Sequence, residues 1–180
     1  MSSARPHYTN RQFPPYSYVP GAAPHPVSDP AGHMFGKTHE TPLPLVPESW
    51  QQSPDYLYGI DLLNHGYYWE AHEAWETLWL VAGRQGRVAD FLKGLIKLAA
   101  AGVKAREGNS RGVERHCLRA IDLLQSVQTR PGAPRNYCGV NLPAVIEQVS
   151  ELARNASAGL TEPDAHLLLD IWIRLAERRR

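Results

Sequence analysis

Cysteine, net charge and long apolar runs are all scarce in this sequence. Its 180 residues include two cysteines and carry a formal net charge of +1. Two cysteines cannot build a disulfide framework, and the balanced charge argues against a strongly basic nucleic-acid-binding protein. No run approaches the ~18 apolar residues of a membrane-spanning helix, and the first residues lack the pattern of a secretion signal. We therefore expect a cytoplasmic protein with reduced thiols and with neither a membrane nor a nucleic acid as partner.

The motifs of common enzymes are missing as well. The sequence has no glycine-rich phosphate loop, no nucleophile elbow and no paired CxxC motif. His72 and Glu73 begin like the zinc-protease helix HExxH, but Glu76 stands where that motif has its second histidine. The sequence therefore assigns no catalytic residue, and it leaves open whether the protein is an enzyme.

Proline divides the chain into two parts. Eleven of the fifteen prolines lie within residues 1–54, where they exclude ordinary helices and central strands. Residues 13–36 nevertheless carry aromatic and apolar side chains, which disordered segments usually lack. We expect residues 1–52 to form a proline-rich extended arm lying against a helical domain of residues 53–180, with free disorder of the arm as the alternative.

The rest of the chain has the 3–4 residue apolar spacing of helices. Ser53, Ser110 and Asn141 are candidate N-caps. Six helices are predicted, at about residues 54–64, 67–81, 88–106, 110–127, 142–154 and from 162 onward. The apolar stripe of the sixth comprises Ala165, Leu168, Leu169, Trp172 and Leu175. The prediction is an all-α fold, a compact bundle of five to six helices built from helix hairpins.

The second predicted helix carries the richest group of functional side chains. At ~100° per residue, one face presents Trp69, His72, Glu76 and Trp79, with His65 in line. Beside that face are Ala71, Trp75 and Leu78, and pointing away from it are Glu70, Glu73 and Thr77. Four residues separate His72 from Glu76, so their Cβ atoms lie ~5–6 Å apart.

That spacing allows three interpretations. An imidazole and a carboxylate can converge on one divalent cation, they can form a hydrogen-bonded structural latch, or they can act in acid–base chemistry. Two ligands are too few for a stable metal site. The candidates for completing it are His116, Glu114 and Asp122 on the fourth helix, and His25, Asp29 and His33 on the arm.

The stretch GYYWEAHEAWETLW, followed by FLKGLIKLAAAGVKAREGN, resembles the bacterial and archaeal family named domain of unknown function 309 over about residues 56–127. The family's HxxxExx(W/Y) hallmark is matched by His72, Glu76 and Trp79, and its QGLIQ-x-A segment by residues 93–99. The resemblance implies a compact helical protein without an established biochemical role, in which His72 and Glu76 bind metal.

Lysine stands at positions 93 and 97, where many relatives have glutamine. Protonated lysine cannot ligate a metal. Lys93 and Lys97 therefore form either a solvated face that pairs with Glu70 or Glu73, or a cationic wall that binds an anionic ligand beside the site.

Two functions follow from these patterns. In the first, a site of His72, Glu76, Trp69, Trp79, Lys93 and Lys97 binds a divalent metal ion or a small polar ligand. In the second, the protein is a non-catalytic helical-hairpin interaction module in which His72 and Glu76 form a structural latch. The sequence indicates no particular protein partner for either.

Overall fold

The computed structural model describes residues 5–38, 40–132, 134–156, 158–159 and 162–176. Within these ranges five α-helices and a 3₁₀ helix pack together, and a two-stranded antiparallel sheet lies between the last two α-helices. The elements are the 3₁₀ helix Pro47–Gln52, α1 Pro54–Asn64, α2 Tyr68–Val81, α3 Arg87–Arg106, α4 Ser110–Thr129, β1 Asn136–Tyr137, β2 Val140–Asn141 and α5 Leu142–Ala156. The predicted all-α fold is confirmed. None of the described helices has the length and apolar character needed to cross a membrane.

The helices pack as sequential neighbours, α1 on α2, α2 on α3, α3 on α4 and α4 on α5. Two glycines allow the close crossings of α2. A side chain at Gly59 would collide with the indole of Trp75, and one at Gly102 would collide with the ring of Tyr68. Both rings are fully or almost fully buried. Close packing against α1 and α3 therefore fixes the position of α2 and of the side chains on its outer face.

Helix boundaries lie within two residues of the predicted ones for α1 to α5. Asn141 caps α5 as predicted, because its Oδ1 accepts a hydrogen bond from the Ala144 amide at 3.2 Å. The cap of α4 is Asn109 instead of Ser110, and it accepts from the Gly112 amide at 2.8 Å. Ser53 occupies the N-cap position of α1, but its side chain makes no cap hydrogen bond.

The predicted sixth helix is wrong, because residues 162–176 contain no helix. Burial instead alternates along the segment, and the buried side chains are Leu169, Ile171, Ile173 and Leu175. Two members of the predicted stripe do not fit it, since Leu168 is exposed and Trp172 is half-buried. A period of two is that of an extended chain, and Leu175 makes an antiparallel bridge to Val140 of β2.

A buried asparagine holds this extended segment in place. The Asn64 side chain accepts from the Ile173 amide at 2.7 Å and donates to the Ile173 carbonyl at 2.9 Å. Asn64 is fully buried. Its amide thus satisfies both backbone groups of Ile173, as a neighbouring strand would do.

The proline-rich arm contacts the helices through hydrogen bonds and aromatic rings. The buried carboxylate of Asp61 accepts from the amides of Tyr8 and Thr9 at 2.6 and 2.8 Å. Phe13 stacks on Tyr67 with ring centroids 4.9 Å apart. These contacts are those of a docked extended segment over the described part of the arm.

Both thiols are buried. Cys117 lies on the core side of α4, as its apolar spacing predicts, and burial raises its pKa to about 12. Cys138 lies in the turn between β1 and β2, and burial raises the pKa of its thiol well above the usual range. Neither environment activates a thiolate.

Candidate functional site

Helix α2 has one buried face and one polar face. Ala71, Trp75 and Leu78 are fully buried against the core, because they recur at the 3–4 residue spacing of one helix face. The indole Nε1 of Trp75 donates to the Tyr56 carbonyl of α1 at 3.3 Å. This buried anchor leaves His72 and Glu76 on the side of the helix that solvent reaches.

Three potential metal ligands meet on that side. His72 Nδ1 lies 3.2 Å from Glu73 Oε1 and 4.0 Å from Glu76 Oε2. One ligand atom from each of the three residues lies within 4.8 Å of the others. Glu73 was expected to point away from the site, and the structure places its carboxylate against the imidazole instead. A side chain as long as glutamate reaches one residue back along the helix surface.

Lys93 of α3 contacts the far side of Glu76. Its Nζ lies 3.9 Å from Glu76 Oε1 and 3.9 Å from the ring centroid of Trp79. The two oxygens of Glu76 therefore face different partners, Oε2 towards His72 and Oε1 towards Lys93. Neither Glu70 nor Glu73, the predicted partners of this lysine, pairs with it within 4.0 Å in the described part of the chain.

A second set of cations adjoins these residues. Burial lowers the pKa of Lys97, and the positive charges of Lys93, Arg119 and Arg115 lower it further, whereas Glu76 raises it. We call His72, Glu73, Glu76, Lys93 and Lys97 the polar cluster. Arg115 and Arg119 were not predicted as site residues, although they stand four apart on α4, and this spacing places both on one helix face.

His116 on α4 is influenced by the charges of the same residues. Burial lowers its pKa to about 4, and the charges of Lys97, Arg115, Lys104 and His72 act in the same direction. The histidine is therefore neutral at pH 7. Of the candidates for completing the site, His116 lies in the electrostatic surroundings of His72, whereas Glu114 and Asp122 are not part of the three-ligand cluster.

The arm candidates lie elsewhere. His33 Nε2 is 3.4 Å from Glu70 Oε1, and the two side chains are 7% and 6% exposed. Glu70 was expected to point away, yet it is buried beneath the arm, where burial raises the pKa of its carboxyl. His25 and Asp29 hydrogen-bond to nearby amides of the arm itself. None of these three belongs to the metal-ligand cluster found among the described residues.

Two further predicted members of the face also have other roles. Trp69 packs edge-on against Tyr18 and His25 of the arm, with centroid distances of 5.4 and 5.5 Å. The Nδ1 atom of His65 lies 2.8 Å from the Asp61 carbonyl, and its ring contacts Phe13. A helical wheel cannot reveal these contacts, because they depend on where the arm runs.

A cavity of about 480 Å³ lies between the β-turn, α5 and the extended C-terminal segment. Its lining includes Gln148, Trp172 and Arg174 and shares no residue with the polar cluster. The polar cluster is a surface arrangement, so charge and coordination, more than enclosure, are what it offers a ligand.

Comparison with known families gives a match in the part of the chain that carries the resemblance. Residues 56–116 match the model of the family described as Domain of unknown function (DUF309). The match runs from α1 into the first turns of α4 and contains all five residues of the polar cluster. Comparison with curated proteins gives no match. Residues 56–116 are therefore similar to this family, as the resemblance predicted.

Proposed function

We propose that the polar cluster binds a divalent cation through His72, Glu73 and Glu76 and presents that cation to a small polar ligand. The observation that carries the proposal is the convergence of one ligand atom from each residue within 4.8 Å on the outer face of α2. Three protein ligands leave coordination positions open for water or for a ligand.

The donor set points to a particular range of metals. One imidazole with two carboxylates combines the ligand preferred by zinc and iron with the ligand preferred by manganese and magnesium. Mn²⁺ and Zn²⁺ are therefore the ions to test first. Thiolate-preferring ions are not favoured, because both cysteines lie in the core.

The contact between Lys93 and Glu76 supports the same function. Lys93 faces Oε1 of Glu76 and leaves Oε2 towards His72. An outer partner that holds one carboxylate oxygen orients the other for coordination. In this arrangement the lysine positions a ligand and does not compete for the metal.

Exposure favours a binding site over a structural latch. A latch stabilises a fold through a desolvated hydrogen bond, whereas His72 and Glu76 are 28% and 36% exposed and their nearest atoms lie 4.0 Å apart. The latch function predicts that the free energy of unfolding falls by about 1–3 kcal/mol when either partner is removed. The binding function predicts little change in the free energy of unfolding of the metal-free protein.

Metal titration of the wild type and of Glu76→Gln tests the proposal. The wild type is expected to bind one Mn²⁺ or Zn²⁺, and an ion at a hundred times its Kd should stabilise the fold by about 2.7 kcal/mol. Glu76→Gln should lose that stabilisation while its metal-free melting temperature stays within a few degrees.

The matched control is Glu147→Gln on α5, a glutamate whose side chain is 77% exposed. This variant should bind metal like the wild type. The proposal would be contradicted if the wild type bound no stoichiometric metal. It would also be contradicted if Glu76→Gln and Glu147→Gln lost metal binding equally. A large loss of metal-free stability in Glu76→Gln alone would support the latch.

A further inference from the structure

The cavity between the β-turn, α5 and the extended C-terminal segment has the size of a small-molecule binding site. Its volume of about 480 Å³ lies within the usual range of roughly 300–1,000 Å³. Its lining residues all lie beyond residue 116, where the family match ends, and none belongs to the polar cluster. An inference drawn from this cavity is therefore independent of the proposed cation site.

Hydrogen bonds connect the three walls of the cavity. The Ala176 amide of the extended segment donates to the Gly139 carbonyl of the β-turn at 2.7 Å. The Trp172 amide of the same segment donates to Oε1 of Gln148 on α5 at 3.4 Å. The lining is therefore positioned before a ligand enters, which lowers the free-energy cost of ordering it on binding.

Two side-chain amides of the lining have only their oxygens engaged. Gln148 Oε1 accepts from the Trp172 amide, and Asn141 Oδ1 accepts from the Ala144 amide at 3.2 Å. Because a backbone N–H requires an acceptor, each side chain turns its oxygen towards that N–H and keeps its NH₂ group for another partner. Within the described residues neither NH₂ group donates a hydrogen bond, and neither does the indole Nε1 of Trp172. The lining therefore offers a ligand several N–H donors.

The charge of the lining is positive. Arg174 is the charged residue among the described lining residues, which include no carboxylate. Its guanidinium lies 5.1 Å from the ring centroid of Trp172, so the positive charge and the indole lie side by side. Arginine carries its donors in a planar fork that matches a carboxylate. A positive charge surrounded by N–H donors selects an anion.

The buried part of the lining is apolar. Val145 and Leu175 are 4% and 6% exposed, and Trp172 is half-buried. An organic anion can bury apolar area against these side chains, whereas an inorganic anion cannot. One formal positive charge also matches one carboxylate better than a phosphate group with a charge near −2.

We propose that this cavity binds a small aromatic monocarboxylate. Arg174 and the NH₂ groups of Gln148 and Asn141 hold the carboxylate, and the aromatic ring of the ligand packs against Trp172 and the buried apolar lining. Aromatic pairs contribute binding free energy beyond the area that they bury. The site thus recognises a charge and a ring at the same time.

Calorimetric titration of the full-length protein with benzoate at pH 7 tests the proposal. The buffer contains a chelator, so the result does not depend on metal. The wild type should show saturable one-site binding. Benzamide keeps the ring and lacks the charge, and it should bind at least about tenfold more weakly because it loses a charge-assisted hydrogen bond. Absence of saturable benzoate binding, or equal affinity for benzamide, would overturn the proposal.

Gln148→Glu locates the binding in the cavity. The variant keeps an oxygen for the Trp172 amide, but it replaces the NH₂ donor with a negatively charged oxygen. It should therefore retain its melting temperature within a few degrees and bind benzoate at least about tenfold more weakly. Gln125→Glu makes the same change at an exposed position of α4 and should bind like the wild type. Unchanged binding in Gln148→Glu, or equal weakening in the control, would place the ligand elsewhere and overturn the proposal.

Arg174→Gln tests the charge by a second route, and it decides the matter if Gln148→Glu does not fold. It should also weaken benzoate binding by about tenfold, whereas Arg154→Gln on α5, at a side chain that is 63% exposed, should not. Glu76→Gln should bind benzoate like the wild type, because the polar cluster lies outside the cavity. Loss of benzoate binding in Glu76→Gln, or full binding in Arg174→Gln, would refute the cavity as the site.

Discussion

At the scale of single residues, His116 shows how position determines the chemistry of a side chain. It lies on α4 among Lys97, Arg115 and Lys104, and its partial burial together with these charges lowers its pKa to about 4. An ordinary histidine has a pKa of about 6.5. The neutral form is therefore imposed by the fold, and it persists far into the acid range.

The stability of the protein should depend on pH through this residue. Because the pKa of His116 is lower in the folded state, the unfolded chain binds the proton more tightly. The stabilising contribution is therefore present above about pH 6.5 and is lost as the pH falls towards about 4. His116→Gln should show a smaller fall in melting temperature over this window than the wild type.

The comparison is made by circular dichroism at closely spaced pH values. His166→Gln, which changes an exposed histidine, is the control and should follow the wild-type curve. Carboxylates titrate in all three proteins, so the contribution of His116 is obtained from the difference between the curves. Identical curves for His116→Gln and the wild type would contradict the assignment.

The residues of the candidate site were predicted unequally well. His72 and Glu76 meet as the helix spacing predicts, because residues four apart share a helix face. Lys93 pairs with Glu76 and not with the predicted Glu70 or Glu73. The directions of Glu70 and Glu73 were wrong. Glu70 is covered by an arm whose path no periodicity encodes, and Glu73 bends back to His72 through side-chain rotation that a helical wheel ignores.

At the scale of elements, the extended C-terminal segment is the one whose structure differs from its sequence pattern. Residues 167–175 are almost continuously apolar, so they satisfy both helical spacing and strict alternation. The two buried isoleucines Ile171 and Ile173 favour the extended form. What decides the outcome is distant in sequence, namely the buried amide of Asn64 and the bridge to Val140.

Replacing Asn64 with leucine should release this segment. The side chain keeps its approximate volume, but the amide and carbonyl of Ile173 lose their partners, and each orphaned buried group costs about 1–3 kcal/mol. Urea unfolding of Asn64→Leu should give a correspondingly lower free energy of unfolding. Gln125→Leu, at an exposed position of α4, should change it little. Equal stability of the two variants would contradict this role of Asn64.

The other elements were predictable because their ends carry local signals. Pro54 starts α1, Asn141 caps α5, and the positive φ of Gly66, Gly83 and Gly108 marks the turns between helices. Such signals act within a few residues of the chain. The 3₁₀ helix Pro47–Gln52 was not predicted, since its prolines indicated only that no ordinary helix could form there.

At the scale of the whole molecule, one buried arginine connects three parts of the chain. Arg106 of α3 donates to Ser17 of the arm at 2.6 Å and to the Leu167 carbonyl of the C-terminal segment at 2.9 Å. Its guanidinium lies 4.8 Å from the ring centroid of Tyr68 in α2. The arm and the C-terminal segment therefore depend on a common residue of α3.

Arg106→Met should loosen both segments together. The methionine retains apolar contacts, but Ser17 and the Leu167 carbonyl lose a charged donor, and we expect a loss of about 1–3 kcal/mol in the free energy of unfolding. Hydrogen exchange read by mass spectrometry should accelerate in peptides from residues 5–38 and 162–176 and change less in α4. Arg154→Met is the control. Acceleration in one segment without the other would contradict the shared dependence.

The two buried cysteines make such openings measurable in the unmodified protein. Cys117 belongs to the packed side of α4, and Cys138 to the turn between the short strands. A buried thiol reacts with an alkylating reagent only when its surroundings open. The ratio of each alkylation rate to that of a free thiol is therefore the fraction of time for which that region stands open. The molecule thus carries two native probes of local opening. Cys117 reports on the helical core, and Cys138 reports on the turn that borders the extended segment.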